Sequence, residues 1–226
     1  MKQFISNPHA ASVIAHHYPE RVVSVSLPDG IRKPEWVDVL QGHGIAVQPA
    51  KQLGVYALPV KYRDESAWLD DLAAQSKGLW LALDGVTDPH NLGACLRTLA
   101  ALGGQGLILP KHHSVSVTEV ARNIACGGAD LVPIYQVTNL AKALVATKSK
   151  DAWVYGSCER APQALAETKM DGKIIVVMGS EGKGMRDQVR KQCDVMFHLP
   201  TKPPVLSLNV SVATGMVLHH CVSNIN

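Results

Sequence analysis

The sequence predicts an α/β protein in two parts: a small α/β module at residues 1–62 and, after a linker at 63–77, a larger domain at 78–226 built on a mostly parallel sheet. The chain has 226 residues, more than one minimal domain needs. Apolar residues make up 46% and charged residues 18%, so the chain can bury a full core. From Gly78 onward, short apolar runs alternate with helix-like segments, the order typical of a parallel sheet covered by helices.

The amino-terminal module is predicted from four short elements. In order, they are a helix after Asn7, a strand at Arg21 to Leu27, a helix at Glu35 to Gly42 and a strand at Gly44 to Pro49. Residues 63–77 are charged and polar around Trp68 and Leu72, which is typical of a linker with one helical stretch. The domain boundary is therefore expected in this segment.

The larger domain is predicted from six apolar runs with helices between them. The expected strands are Leu79 to Leu83, Gly106 to Leu109, Leu131 to Val137, Trp153 to Tyr155, Ile174 to Met178 and Met196 to Leu199. Asn91 is expected to cap a helix at 92–102, and Ser116 with Glu119 has the spacing of a capping box. Gly103 and Gly127 stand where helices should end.

Composition narrows the functional classes. A net charge of +3 is well below that of a purely electrostatic nucleic-acid binder, and two Phe and five Tyr residues make an exposed stacking platform for bases unexpected. The sequence has neither a membrane-spanning apolar run nor a signal-peptide pattern, so a cytoplasmic protein without a membrane partner is expected. The five cysteines fit neither a disulfide framework nor a zinc cluster, and the adjacent histidine pairs lack the spacing of metal ligands, so no metal is expected.

The first of three informative segments is the loop that leaves a predicted strand at Asp84 and enters a helix near Asn91. Ligands of α/β proteins bind at such carboxyl ends of strands. Asn91, the free N–H groups beside it and Arg97, about two turns further on, could together bind a phosphate or another anion. A well-capped helix with a surface arginine explains the same residues, so both interpretations stay open.

The second segment, from Val177 to Arg186, also follows an apolar strand and contains three glycines. Glycines permit close approach of a ligand to the backbone, so a ligand is expected to touch this loop. The order Gly-x-x-Gly-x-Gly is neither the dinucleotide fingerprint nor the phosphate-binding loop, although Lys183 invites the second interpretation. Glycine-rich turns without a ligand are common, so this loop alone is weak evidence.

The third segment, from Leu199 to Ala213, runs from the last strand into an apolar final helix. Ser207, Asn209 and Ser211 interleave with apolar residues at the entrance of this helix, where buried polar groups need partners. Helix capping and local hydrogen bonds explain Ser211. For Asn209 we favour a functional role.

The three segments, taken together and in this order, resemble the signature motifs of the SpoU, or TrmH-like, branch of the SPOUT RNA methyltransferases. The matching stretches are Asp88-Pro-His-Asn-Leu-Gly-Ala-Cys-Leu-Arg97, Met178-Gly-Ser-Glu-Gly-Lys-Gly184 and Ser207-Leu-Asn-Val-Ser-Val-Ala213. The resemblance covers the chain from about Leu79 onward. More distantly, the whole chain resembles the ribosomal RNA guanosine 2′-O-methyltransferases of this branch, including their small substrate-binding module.

The resemblance implies a carboxyl-terminal part threaded into a trefoil knot, S-adenosyl-L-methionine as the cofactor, an RNA substrate (ribosomal or transfer RNA) and a homodimer whose interface adjoins the active site. Carried over by position, the catalytic set is Arg97, Asn91, Glu181, Ser207 and Asn209. The cofactor contacts fall at Met178, Gly179, Leu199 and Leu208. Since guanidinium scarcely deprotonates in proteins, Arg97 is assigned to positioning and charge stabilisation, and Glu181 is a possible proton acceptor.

Two departures from the family pattern bear on these expectations. The family usually has a glycine where this chain has Pro203, followed by Pro204, so a flexible stretch has become stiff. The module also lacks the family's His-Gln-Gly segment near Leu53 to Tyr62. These departures leave two points open: the geometry of the cofactor loop and the identity of the RNA target.

Three rival interpretations fit parts of the sequence. A noncatalytic RNA-binding paralogue would keep the fold while Pro203 and Pro204 compromised the cofactor loop. A SPOUT enzyme of another branch would methylate a base, although the set of Asn91, Glu181 and Asn209 argues against it. A dinucleotide-dependent oxidoreductase would need an early glycine-rich turn followed by an acidic residue, which the sequence lacks.

Overall fold

The structure is a computed structural model that describes residues 2–225, with two sheets and nine α-helices in that range. The strands are β1 (Gln3–Ile5), β2 (Val22–Leu27), β3 (Val47–Pro49), β4 (Gly54–Ala57), β5 (Tyr62–Arg63), β6 (Gly78–Asp84), β7 (Gly106–Pro110), β8 (Ile134–Val137), β9 (Ala152–Ser157), β10 (Gln163–Ala164), β11 (Lys173–Gly179) and β12 (Val195–His198). The helices are α1 (Pro8–His17), α2 (Glu35–Gly42), α3 (Glu65–Ala74), α4 (Pro89–Ala101), α5 (Glu119–Ile124), α6 (Gly128–Leu131), α7 (Leu140–Thr147), α8 (Asp187–Arg190) and α9 (Val210–Ile225).

The amino-terminal part is a mixed sheet of order β1-β4-β2-β3 that packs against α1 and α2. Helix α2 has the predicted bounds, and Asn7 caps α1 by accepting hydrogen bonds from the N–H groups of His9 and Ala10. Strands β1 and β4 were not predicted, because each has only three or four residues. The strand expected at Gly44 to Pro49 is confined to Val47–Pro49.

The larger sheet has the order β10-β12-β9-β11-β6-β7-β8-β5, and its pairings within residues 2–225 are all parallel, which confirms the predicted fold class. Successive residues of β6 belong to two different cores: Leu79, Leu81 and Leu83 pack with α4 and α9, whereas Trp80 and Ala82 pack with α3 and α7. Helices therefore cover both faces, as the alternation of apolar runs predicted.

Residues 63–77, predicted as a linker with a helical stretch, contain the end of β5 and all of α3. Strand β5 pairs with β8 at the sheet edge, and Trp68 and Leu72 of α3 are buried against the sheet. This segment is thus packed on the larger sheet, and the position of the domain boundary stays a prediction.

Two predicted helix starts and one strand start are wrong. Asp88, not Asn91, caps α4, because Pro89 occupies the first helical position and the Asp88 side chain accepts from the N–H of His90. Thr118, not Ser116, caps α5 through the N–H of Ala121. Residue Leu131, predicted as the start of a strand, ends α6 instead.

The carboxyl ends of β6 and β11 lie side by side, and the chain leaves them in opposite directions. From β6 it continues through α4 to β7 on one side, whereas β12 lies beyond β9 on the other side. Such a reversal opens a crevice between the two loops, which is where open α/β sheets bind ligands. The first and second segments meet in this crevice.

A buried ion-pair network joins the amino-terminal part to the larger sheet. The guanidinium of Arg122 is fully buried, pairs with both carboxylate oxygens of Asp130 at 3.0 and 2.8 Å, and donates to the carbonyl of Leu58. Arg21 of the small module binds the same carboxylate at 2.8 Å. A single buried carboxylate thus binds one arginine from each part, which attaches the small module to the larger domain.

Candidate active site

The first segment places Asn91 in the opening turn of α4, behind the Asp88 cap. The hydrogen bond from the His90 N–H lowers the pKa of the Asp88 carboxyl, so this residue is a charged cap. Arg97 lies further along α4 with an exposed side chain that makes no ion pair or hydrogen bond with the described part of the chain. Arg97 is thus accessible to a ligand, and its role in the site stays a prediction.

The second segment folds back on itself as a tight hairpin, which we call the glycine hairpin (residues 179–186). Ser180 and Gly184 exchange main-chain hydrogen bonds of 3.2 and 2.9 Å, and Glu181 lies in the turn between them. A Cβ atom on Gly179 would lie 2.2 Å from the carbonyl carbon of Gly184, a distance that no side chain tolerates. Gly182 and Gly184 have φ values of 78° and 65°, so the hairpin needs its glycines.

The third segment forms a second small hairpin before α9. Lys202 pairs with Val205, and the hydroxyl of Thr201 donates to the carbonyl of Leu206 at 2.9 Å. The peptide bond between Pro203 and Pro204 is cis. The prolines thus occupy the tip of a closed turn, and the residues that follow it lead back to the crevice.

Asn209 caps α9 and at the same time binds the other two segments. Its Oδ1 accepts from the N–H of Ser211 at 2.9 Å and from the Ser211 hydroxyl at 2.6 Å, which confirms the local role expected for Ser211. Its Nδ2 donates to Oδ1 of Asn91 at 2.9 Å and to Oε1 of Glu181 at 2.6 Å. Glu181 Oε1 also accepts from the N–H of Val210 at 3.1 Å.

We call the side chains of Asn91, Glu181 and Asn209 the amide–carboxylate clasp. These residues come from three loops that are far apart in sequence, and the structure brings them within hydrogen-bond distance of one another. Because Asn209 uses both hydrogens of Nδ2 inside the clasp and its Oδ1 on α9, the amide is fully occupied. Asn209 is therefore suited to holding the loops in place rather than to contacting a substrate.

A cavity of about 540 Å³ opens beside the clasp. Its wall includes all four residues predicted for cofactor binding, which are Met178, Gly179, Leu199 and Leu208. Of the predicted catalytic residues, Glu181, Ser207 and Asn209 line it. In the described part of the chain, neither Asn91 nor Arg97 lines the cavity. Asn91 is connected to the wall by its hydrogen bond to Asn209.

One part of the cavity wall was not predicted: the segment from Ser157, the last residue of β9, to Arg160. The available signal was the pair Glu159 and Arg160 shortly after a buried strand. The ion pair between Asp84 and Arg186, which joins the first and second segments, was not predicted either. Only the fold shows that pairing, since the two residues are 102 positions apart.

Some classes of site are not found in the described residues. Between Lys2 and Ile225, no group of three or more His, Cys, Asp or Glu side chains is arranged to hold a metal ion. None of the helices in that range is long and apolar enough to cross a bilayer. The five cysteines are free thiols, of which Cys95 and Cys221 are buried.

Comparison with known proteins gives a consistent family. Residues 78–219 match the SpoU rRNA Methylase family. The 23S rRNA (guanosine-2'-O-)-methyltransferase RlmB of Pseudomonas aeruginosa is 39% identical over 227 residues, which cover 93% of this chain and 92% of that protein. RlmB of Escherichia coli is 36% identical over 239 residues and covers 98% of this chain and 98% of that protein.

Solved structures agree with the fold. The SpoU methyltransferase AviRb from Streptomyces viridochromogenes, in complex with AdoMet, has a TM-score of 0.82 at 18% identity and covers 98% of this chain and 90% of that chain. The AdoMet-bound rRNA methyltransferase from Sinorhizobium meliloti has a TM-score of 0.78 at 18% identity, and the match covers 100% of this chain and 88% of that chain. The expected SPOUT-type α/β fold is thereby confirmed, while the knot stays an expectation from the resemblance.

Proposed function

This chain belongs to the SpoU rRNA methylase family, and from that premise we propose that it methylates the ribose 2′-hydroxyl of a guanosine in 23S ribosomal RNA, with S-adenosylmethionine as the methyl donor. The observation that carries the proposal is the amide–carboxylate clasp, which ties the three motif segments together beside one cavity. The near full-length likeness to RlmB proteins supports guanosine and 23S RNA as the target.

The lining of the cavity suits S-adenosylmethionine. The glycine hairpin contributes main-chain groups to the wall, and Met178, Leu199 and Leu208 supply an apolar enclosure. Such a mixture of backbone polar groups and apolar walls is typical of cofactor sites. When bound there, the cofactor supplies a methyl carbon activated by a positively charged sulfur.

The chain's own residues then have to align the ribose and remove one proton. The ribose 2′-oxygen bonds to the methyl carbon as the carbon–sulfur bond breaks, and its proton leaves to a base or to water. Alignment contributes much of the rate in such a displacement. We assign Arg97 to binding the RNA backbone and stabilising charge, because its guanidinium is exposed and keeps its proton.

Glu181 and Asn209 have distinct parts in this scheme. Asn209 positions Asn91 and Glu181, since its amide is saturated within the clasp. Among the described residues, Glu181 binds the Asn209 amide and the Val210 N–H through Oε1 only, so Oε2 is the oxygen assigned to accept the ribose proton. Ser207 is exposed on the cavity wall outside the clasp, where we assign it to contact with the ribose or cofactor.

We infer that the active form is a homodimer that acts on ribosomal RNA in the cytoplasm. Exposed apolar side chains near the clasp support an interface there; they are Val205, Leu206, Val212 and Met216. The docked module at residues 1–62 is assigned to RNA substrate binding. Light scattering after gel filtration tests the dimer directly, and a monomer at micromolar concentration would contradict it.

The test of the activity is methyl transfer to a defined RNA. The purified chain, tritiated S-adenosylmethionine and 23S RNA from cells lacking this gene should give a ribose-methylated guanosine at a single position. Hydrolysis to nucleosides separates 2′-O-methylguanosine from base-methylated products. Label on a base would overturn the assigned substrate, as would label on transfer RNA in a parallel reaction when 23S RNA takes none. No label at all with a folded protein would overturn the enzymatic assignment.

A further inference from the structure

Asp84 is a buried carboxylate that the proposed mechanism does not use. It is the last residue of β6, and its side chain is completely inaccessible to solvent. It accepts hydrogen bonds from the main-chain N–H of Arg186 at 2.8 Å and from Arg186 Nε at 2.8 Å, and Arg186 Nη2 lies 2.6 Å from the same carboxylate. A buried carboxylate persists only with such partners, so this pairing is fixed.

The pairing closes the base of the glycine hairpin. At one end, Gly179 is in register with Asp84 across the β6–β11 pairing. At the other end, Arg186 is bound by the side chain of that same Asp84. Both ends of the hairpin are thus attached at a single residue.

A hairpin with three glycines has many alternative backbone conformations, and selecting one of them costs conformational entropy. Attachment at both ends removes most of these alternatives before a ligand arrives. The retained conformation is the one that lines the cavity and presents Glu181 to Asn209. Ligand affinity increases when the binding conformation is already populated.

We propose that Asp84 is a positioning residue for methyl transfer: through Arg186 it holds the glycine hairpin in the conformation that binds S-adenosylmethionine and completes the clasp. Asp84 is not among the described residues that line the cavity. Because side chains alternate along a strand, Asp84 lies on the same face of the sheet as Trp80 and Ala82, and α9 packs on the opposite face. Asp84 is thus placed to act through Arg186 and not by direct contact with the cofactor. This inference rests on the proposed function.

The experiment compares two buried carboxylates that differ in location. Asp84→Asn keeps the size of the side chain and removes its charge. The matched control is Asp130→Asn, since Asp130 is equally buried and is paired with Arg122 and Arg21 at the junction of the two sheets. Calorimetric titration of each full-length variant with S-adenosylmethionine is paired with its thermal-unfolding midpoint.

Both variants should unfold at a lower temperature, but only Asp84→Asn should bind S-adenosylmethionine more weakly, by about tenfold, as loss of one charge-assisted anchor implies. Equal affinities in Asp84→Asn and the wild type, or an equal loss in Asp130→Asn, would overturn the positioning role. A wild type that binds no S-adenosylmethionine would instead overturn the proposed function.

A double-mutant cycle checks that Asp84 acts through Arg186. Arg186→Gln should weaken S-adenosylmethionine binding less than Asp84→Asn, because the main-chain N–H of residue 186 still donates to Asp84. Adding Arg186→Gln to Asp84→Asn should cause no further loss. If the two substitutions reduced S-adenosylmethionine affinity independently and additively, Asp84 would not act through Arg186. If Asp84→Asn does not fold, an unchanged S-adenosylmethionine affinity in Arg186→Gln would by itself overturn the proposal.

Discussion

Replacement of Asn209 by aspartate separates the two roles of this side chain. Aspartate retains an oxygen that can cap α9, because it is as good a capping residue as asparagine. It lacks the Nδ2 group, so both hydrogen bonds to Asn91 and Glu181 are lost. It also places a second carboxylate where Nδ2 lies 2.6 Å from Glu181 Oε1.

The size of the effect follows from these contacts. A hydrogen bond to a charged group contributes about 1.5–3 kcal/mol, and the lower end applies because the clasp is exposed. Two carboxylates that move apart to about 4 Å in water still repel each other by roughly 1 kcal/mol. Misplacement of Glu181 and Asn91 should therefore cost roughly 2.5 kcal/mol, which corresponds to a fall in turnover of roughly 70-fold.

The assay is single-turnover methyl transfer at saturating S-adenosylmethionine, measured beside the thermal-unfolding midpoint. Asn209→Asp should be slow but nearly as stable as the wild type. Asn209→Ala should be slow and also less stable, by about 1 kcal/mol for the lost cap. Turnover of Asn209→Asp within threefold of the wild type would refute the view that the clasp positions the reacting groups.

Three further predictions follow from the described geometry. Arg97→Ala should lower methyl transfer by at least about a hundredfold while S-adenosylmethionine affinity stays within twofold, as expected for a residue that acts mainly in the transition state. Gly179→Ala should abolish S-adenosylmethionine binding in calorimetry, because the new Cβ would lie 2.2 Å from the Gly184 carbonyl carbon. Burial raises the pKa of Cys95 to about 11 and that of Cys221 to about 12. The unfolded chain therefore loses these protons at a lower pH than the folded protein does. The free energy of unfolding should keep the full contribution of the two thiols below about pH 9 and lose it as the pH rises towards 11 and 12.

The glycine and thiol predictions each have a matched comparison. Gly42→Ala is the control for Gly179→Ala, since a Cβ at Gly42 meets nothing within 4 Å, and it should leave cofactor affinity unchanged. The thiol prediction is checked by the thermal-unfolding midpoint from pH 8 to 11, which should fall more steeply in the wild type than in a variant with alanine at both cysteines. Parallel curves would contradict it, and near-normal turnover of Arg97→Ala would remove this residue from the mechanism.

Much of the fold was predictable because it depends on local patterns. The strict alternation of Leu79, Leu81 and Leu83 with Trp80 and Ala82 is visible as a continuous apolar run, and such a run between helices indicates a parallel strand buried on both faces. Helix caps were harder to predict, because several residues of suitable type stand close together. At α4 the decisive signal was the proline at the first helical position rather than the asparagine two residues later.

The sequence proposes the candidate site as a set of residues but not as an arrangement. The family resemblance selected Asn91, Glu181 and Asn209, and the structure added the hydrogen bonds that saturate Asn209. Sequence spacing gave no indication of the Asp84–Arg186 pair, because nothing local relates residues 102 positions apart. Only the adjacency of β6 and β11 brings that pair together.

The clasp also has a consequence for how the chain folds. Its hydrogen bonds link positions 118 and 28 residues apart, so the loops they close are long and their closure carries an entropic cost. Contacts of such high sequence separation form slowly. During synthesis the sheet from β6 to β11 can assemble before residue 209 has left the ribosome, whereas the clasp cannot close until then. The clasp is therefore among the last features of the molecule to form, and a chain that stops short of residue 209 would lack both the clasp and α9, whose Val217, Leu218 and Cys221 belong to the core of the larger domain.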